Sequence, residues 1–118
     1  MVKNVVVFCA GPHARVLLDI LEDTPGVNVI GIVDSVLAIG DEFYGKKVIG
    51  RQEEISKLAK KYGFNKGFVA LGDNYLREKV VLEIINQIKD FEFINIISKN
   101  TSISKTAKIG VGNVFMPG

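Results

Sequence analysis

An α/β fold built on a parallel sheet, with a short stretch of a second architecture after it, is predicted by three features of the sequence. Short β-branched runs alternate with segments of helical period over the first two-thirds of the chain. Several of those runs end on a glycine or an aspartate and pass straight into a helical segment. Near the C-terminus, aliphatic or aromatic residues recur every six positions, a period that neither a helix nor a flat strand has.

The first strand is read at Lys3 to Phe8. The helix after it carries Ala14, Leu17, Leu18 and Leu21 at i, i+3, i+4 and i+7. Val16 and Ile20 widen that stripe, so neighbours should cover the helix heavily. Asp23-Thr24-Pro25-Gly26 stops it, because proline removes a donor and glycine permits the reversal. Asn28 to Val33 is continuously apolar, as for a strand buried on both faces, and delivers Asp34 at its carboxyl end. Residues 35–50 lack a period and read mostly as loop, with a short strand at Lys47 to Ile49. A second helix presents Ile55, Leu58, Ala59 and Tyr62 and ends at Gly63, a residue suited to a left-handed terminus. The strand Gly67 to Leu71 breaks at Gly72-Asp73-Asn74. A third helix then carries Arg77, Val80, Val81, Ile84, Ile85 and Ile88, with Asp73 or Asn74 able to cap it. Glu92 to Ile96 is the last strand of the domain.

Ile97, Ile103, Ile109 and Phe115 then fall six apart, with the small or compact Thr101, Ala107 and Asn113 four beyond the first three. A hexapeptide coil has this pattern, with the aliphatic residue pointing into a triangular prism and the compact residue at its corner. The expected division is therefore 1–97 and 98–118. A chain of 118 residues, 47% hydrophobic, suffices for one compact core. Its net charge of +2 is spread among scattered lysines, which leaves nucleic acid and anionic membrane surfaces without an electrostatic footprint. No apolar run approaches the ~18 residues of a membrane span, and the expected location is cytoplasmic. One cysteine and one histidine make neither an intramolecular disulfide nor a zinc spacing, so no metal is expected.

Candidate site residues gather at the strand ends. In Cys9-Ala10-Gly11-Pro12-His13-Ala14, a strand meets a helix whose free amides could hold a phosphate, with Gly11 allowing close approach. Pro12 suits the first helical position but subtracts one donor, and a plain strand-to-helix turn is the alternative. Asp34 stands where a doubly wound domain meets a ribose hydroxyl or a base edge, or else is a turn aspartate. Gly72, Asp73 and Asn74 end a third strand on the same sheet edge, with capping as the competing job, while Arg77 reaches a phosphate or is solvated. His13 is given a binding or packing role ahead of a catalytic one, since no orienting partner is evident. Cys9 reads as a buried small residue, with no basic cluster to favour a thiolate.

Taken in order, these pieces resemble the PglD/NeuD sugar acetyltransferases. The resemblance rests on Cys9-Ala10-Gly11-Pro12-His13-Ala14, Asp34, Gly72-Asp73-Asn74 with Arg77, and Ile109-Gly110-Val111-Gly112 through Met116-Pro117-Gly118, and covers essentially the whole chain. It implies a Rossmann-like N-terminal domain holding a UDP-linked amino sugar, then the truncated beginning of a left-handed β-helix. The complete protein would be a homotrimer using acetyl-CoA, with a β-helix histidine as general base. By the same resemblance Gly11, Pro12, His13 and Ala14 face the diphosphate, Asp34 meets the uracil or ribose, and Gly72, Asp73 and Asn74 wall the pocket beside Arg77. Cys9 and Pro12 depart from the glycines usual in that turn. No catalytic residue is assigned here: with little more than one coil of hexapeptides the chain alone is expected to be inactive and to bind no acetyl-CoA. A NAD-binding Rossmann domain of an oxidoreductase, or a non-catalytic nucleotide-binding module, are the alternatives.

Overall fold

The computed structural model describes residues 2–97, 102–105 and 114–115; of residues 95–97, 102–105 and 114–115 it describes the backbone. Its elements run β1 (Lys3–Phe8), α1 (Pro12–Glu22), β2 (Val27–Val33), β3 (Glu42–Phe43), β4 (Lys46–Gly50), a 3-10 turn (Gln52–Glu54), α2 (Ile55–Tyr62), β5 (Lys66–Val69), α3 (Asn74–Gln87), β6 (Glu92–Ile97), β7 (Ser102–Lys105) and β8 (Val114–Phe115). The sheet order is β3-β4-β2-β1-β5-β6-β7, with β8 also on β6. Strands β4, β2, β1, β5 and β6 are parallel, whereas β3 and β7 pair antiparallel at the two sides. This is the Rossmann-like parallel sheet that the alternation of elements predicts.

Period-two alternation in β1 divides the core. Val5 and Val7 pack with Ala14, Leu17, Leu18 and Leu21 of α1 and with Val29, Ile32 and Phe68. Val6 and Phe8 face the opposite way, into Ile55 and Leu58 of α2, Val81 and Ile84 of α3, and Phe64, Phe91 and Phe93. Phe91 anchors this second layer, with its ring edge-on to Phe8 at 5.7 Å and to Phe64 at 6.5 Å. Each fully buried aliphatic or phenyl group contributes roughly 1.5–3 kcal/mol, so the leucine stripe of α1 alone holds that helix on the sheet. Val16, expected to be covered, is 41% exposed, because α1 has the sheet on one side and solvent on the other.

From β1 the chain steps to β2 and β4 on one side, then crosses to β5 and β6 on the other. The strand order therefore reverses between β1 and β5, and the crevice outside the carboxyl ends there is where open α/β sheets bind ligands.

The stretch 35–50 holds more structure than its lack of period suggests. β3 and β4 form a hairpin closed by Tyr44 and Gly45, both with positive φ (48° and 85°). That is the primed two-residue turn, which matches the twist of its strands. A tyrosine in the left-handed region gives little sequence signal for it. Gly63 does end α2 in the left-handed conformation, φ 74°, as its position predicts. Most of the six-residue spacing that defines the expected 98–118 unit lies outside the described residues. Within them, Ser102–Lys105 pairs antiparallel with β6, and Val114–Phe115 pairs parallel with it. No helix among the described residues is long and apolar enough to cross a membrane.

Candidate functional site

The turn from β1 into α1 is held from behind by β2. The Cys9 amide donates to the Val33 carbonyl at 2.8 Å, and the Ala10 amide donates to Asp34 Oδ1 at 2.8 Å. Cys9 has φ 77°, a left-handed conformation that costs a residue with a Cβ roughly 1–2 kcal/mol. Strain of this kind concentrates at functional turns. The Cys9 thiol is half-buried, and burial together with the Asp34 carboxylate pushes it up to about 11, so it is neutral at pH 7.

Gly11 is extended, and a Cβ built on it would meet nothing within 4 Å. The protein's own packing therefore does not require glycine there. Pro12 takes the first helical position. The Arg15 amide reaches back to the Gly11 carbonyl at 3.0 Å, but α1 has no side-chain cap and no acidic residue in its first turn. The amides of His13 and Ala14 are thus the first-turn donors left without an intrahelical acceptor. The Ala14 side chain is buried under the helix, so only its backbone can face a ligand.

Asp34 is 7% exposed and fully engaged. Oδ1 accepts from Ala10, and Oδ2 accepts from the amides of Val36 at 2.9 Å and Leu37 at 2.8 Å. Burial works to raise its carboxyl, but these three amides and the nearby Arg51 outweigh it and hold the group below the usual carboxylate range. Arg51 donates to the carbonyls of Asp34 (2.8 Å) and Leu37, closing the loop after β2. Asp34 thus ties the turn before α1 to the loop after β2.

At the end of β5, Asp73 caps α3 by accepting from the Leu76 amide at 3.0 Å, while Asn74 Oδ1 accepts from Arg77 Nη2 at 2.7 Å. Arg77 is consequently half-buried and tethered. His13 leans across Gly72: a Cβ on Gly72 would stand 2.3 Å from His13 Nε2. Glycine at 72 leaves the room that the imidazole fills.

Two recesses flank this edge. One of about 160 Å³ is lined by His13, Val69, Ala70, Leu71, Gly72 and Arg77. The other, about 530 Å³, runs from Cys9, Ala10, Asp34 and Ser35 to the 3-10 turn and α3. His13, Gly72 and Arg77 are therefore together, and Asp34 lies on the other recess, with Leu71 shared. Gly11, Pro12, Ala14, Asp73 and Asn74 line neither. Sequence reasoning missed Gln52, Glu53, Leu76, Lys79, Val80 and Glu83 on the larger cleft. The signal for three of them was the i, i+4, i+7 spacing of Leu76, Val80 and Glu83. A separate recess of about 300 Å³ lies against the C-terminal half of α1, the start of β2 and the Tyr44–Gly45 hairpin tip, away from the strand ends that gather the site. Among the described residues no group of three or more His, Cys, Asp or Glu could hold a metal ion.

Perosamine N-acetyltransferase from Caulobacter crescentus, solved as a mutant in complex with CoA and GDP-perosamine, superposes with a TM-score of 0.66 at 28% identity, over 80% of this chain and 42% of that one. UDP-D-quinovosamine 4-dehydrogenase from Vibrio fischeri has a TM-score of 0.70 over 95% of this chain and 99% of that one, but at 15% identity this likeness concerns the fold alone. An uncharacterized protein of Acanthamoeba polyphaga mimivirus is 37% identical over 109 residues, 92% of this chain and 20% of the viral protein. The chain thus spans less than half the length of the viral protein and of the perosamine enzyme. The match that decides kinship runs from β1 into α3 and so takes in the strand ends that gather the site: residues 4–83 fit the PglD N-terminal domain, and the chain belongs to that family.

Proposed function

We infer that this chain is the nucleotide-sugar-binding domain of a sugar N- or O-acetyltransferase. The observation that carries the reading is the uncapped start of α1, where the His13 and Ala14 amides stand free beside the crevice at the sheet's reversal point. Free amides at the positive end of a helix suit a diphosphate. Arg77 and His13, on the small recess next to that turn, add donors for it. Pro12 removes one donor, so the phosphates would rest on Gly11, His13 and Ala14. Gly72, Asp73 and Asn74 would wall the sugar end, with Asp73 and Asn74 acting mainly by fixing α3 and Arg77. Asp34 would act on the ligand by shaping the loop after β2, since its carboxylate already serves three amides.

The relative that binds CoA and GDP-perosamine supports a nucleotide-linked amino sugar as the ligand and acetyl-CoA as the acyl donor of the complete protein. UDP is the nucleotide expected from the sequence resemblance. This domain would hold the sugar so that its amine or hydroxyl attacks the thioester carbonyl, while a base outside residues 1–97 accepts the proton. We assign acyl transfer to a hexapeptide β-helix beginning at residues 98–118, in a homotrimer. The nucleotide-linked substrate and the acyl donor go with a cytoplasmic reaction.

Titration of the 118-residue chain with UDP- and GDP-linked amino sugars tests the binding assignment through backbone amide shifts. Movement at Gly11, His13, Ala14, Asp34 and Gly72 to Asn74 is expected. Unmoved amides at millimolar ligand, or displacement by NADH in preference to either nucleotide, would overturn it.

A further inference from the structure

The larger cleft has a chemistry of its own. α3 gives it an apolar wall, Leu76 and Val80 at i and i+4, continued by Leu71 from the end of β5. Leu76 is 48% exposed, so apolar surface remains uncovered there. The polar groups at the wall's margins include the carboxylates of Glu53 and Glu83, which only accept, and the Ser35 hydroxyl and Gln52 amide, which both donate and accept. Lys79, the one cation on the lining, has its ammonium 5.1 Å from the Tyr75 ring centroid. The ion pair of Lys66 with Glu92 is elsewhere. A cleft with this balance repels phosphates. It suits a flat, partly apolar ring with N–H donors on its edge.

The backbone that carries these groups is fixed in place. Gln52 Nε2 donates to Glu83 Oε1, and Gln87 Nε2 donates to the Gln52 carbonyl at 3.0 Å, which locks the 3-10 turn to α3. Glu83 is thereby half-engaged. The next residue of the locked turn, Glu53, makes no hydrogen bond or ion pair within the described residues.

Building on the reading that this domain holds a nucleotide sugar, we propose that the cleft takes a guanine base, with the Glu53 carboxylate accepting from its N1–H and its exocyclic N2 amino group. Of the common bases, guanine alone presents two adjacent N–H donors on that edge, matching the two oxygens of one carboxylate. Uracil offers a single N–H between two carbonyls, so the second carboxylate oxygen would face an acceptor. Adenine and cytosine offer an amino group beside a ring-nitrogen acceptor and meet the same repulsion. A volume of about 530 Å³ has room for a purine nucleoside. The diphosphate would then leave the acidic cleft toward the α1 amides.

Calorimetric titration of the 118-residue chain with GDP, IDP, UDP and ADP, repeated on Glu53→Gln, tests this. GDP is expected to bind at least about tenfold tighter than UDP or ADP, with IDP, which lacks the 2-amino group, between them. Glu53→Gln should bring GDP to within about twofold of UDP by weakening GDP and strengthening UDP, because the amide sets a donor against guanine's second donor but pairs with uracil's N–H and carbonyl. Glu53 is exposed, so the variant keeps the fold, and its circular dichroism verifies that. Equal binding of GDP and UDP, or a GDP preference that survives Glu53→Gln, overturns the guanine assignment and leaves nucleotide binding standing. Absence of binding by all four nucleotides at millimolar concentration removes the nucleotide reading, and this inference with it.

Discussion

Three helices start at the carboxyl edge of the sheet, and the chain finishes the two beside its reversal point, α1 and α3, differently. α3 is closed by its own neighbour, since Asp73 caps the Leu76 amide and Asn74 takes Arg77. α1 is left open: Gly11 supplies no cap, Pro12 lacks an amide, and the acid nearest in function, Asp34, comes from another strand and stops at Ala10. Stability alone would cap both ends, because a cap contributes about 1 kcal/mol. The open end next to the crevice, entered through a strained cysteine, is the one proposed to take the ligand.

The largest effect belongs to the residue that holds the open end in shape. Asp34→Asn replaces one acceptor oxygen by a donor, so an amide from Ala10, or those of Val36 and Leu37, loses its partner. Urea unfolding at pH 7 should show a loss of about 2–3 kcal/mol, the range for hydrogen bonds to a charged group. The folded state holds the Asp34 carboxyl below its ordinary value. Its contribution is therefore fully present above the unfolded value of about 3.9 and is lost as pH falls through the lower folded value. The gap between wild type and Asn should narrow below about pH 3.9. A gap that stays constant from pH 7 to 3 would show that the charge contributes nothing to the clasp.

What the sequence made legible was local. Leu17, Leu18 and Leu21 declare their buried face by spacing, Gly63 declares a left-handed end, and Asp73 declares a cap three residues before its amide. Contacts set by sheet order were not legible. Nothing near Gly72 in the chain indicates that His13 will lie on it, because that meeting follows from β5 pairing beside β1. Asp34 was legible as the end of a strand but not as an acceptor for Ala10, which depends on the β1–β2 register. Glu53 carries no local signature either, and the spacing that aligns Glu83 with Leu76 and Val80 does not by itself reveal a cleft. An acid on a helix reads as a solvated face until the tertiary fold brings a cleft to it.

Removing the cap of the closed helix should have a smaller effect than breaking Asp34. Asp73→Ala leaves the Leu76 amide without its acceptor and is expected to cost about 1 kcal/mol in the same unfolding assay. Amide shifts at Gly11, His13 and Ala14 on titration with nucleotide sugar should persist in this variant. If they vanish, the α1 amides hold the ligand only through the capped start of α3, and the contrast between the two ends fails.

The smallest effect on stability should come from closing the open end, and it is the sharpest test of why that end is open. Gly11 is extended, and a Cβ there meets nothing within 4 Å, so Gly11→Asp can be built without displacing the chain. Its carboxylate would accept from the first-turn amides and meet the positive end of the helix, a gain of a few tenths of a kcal/mol over glycine. The same carboxylate occupies the donors proposed for the diphosphate and repels it, so nucleotide-sugar affinity should fall at least about tenfold while the protein becomes slightly more stable. Gly11→Ala, which adds the methyl group without the charge, separates crowding from electrostatics and should retain most of the affinity. Opposite signs for stability and binding in Gly11→Asp are what an anion site predicts. Were Gly11→Asp to gain stability and still bind as wild type does, the phosphates would not rest on α1, and its open end would need another explanation.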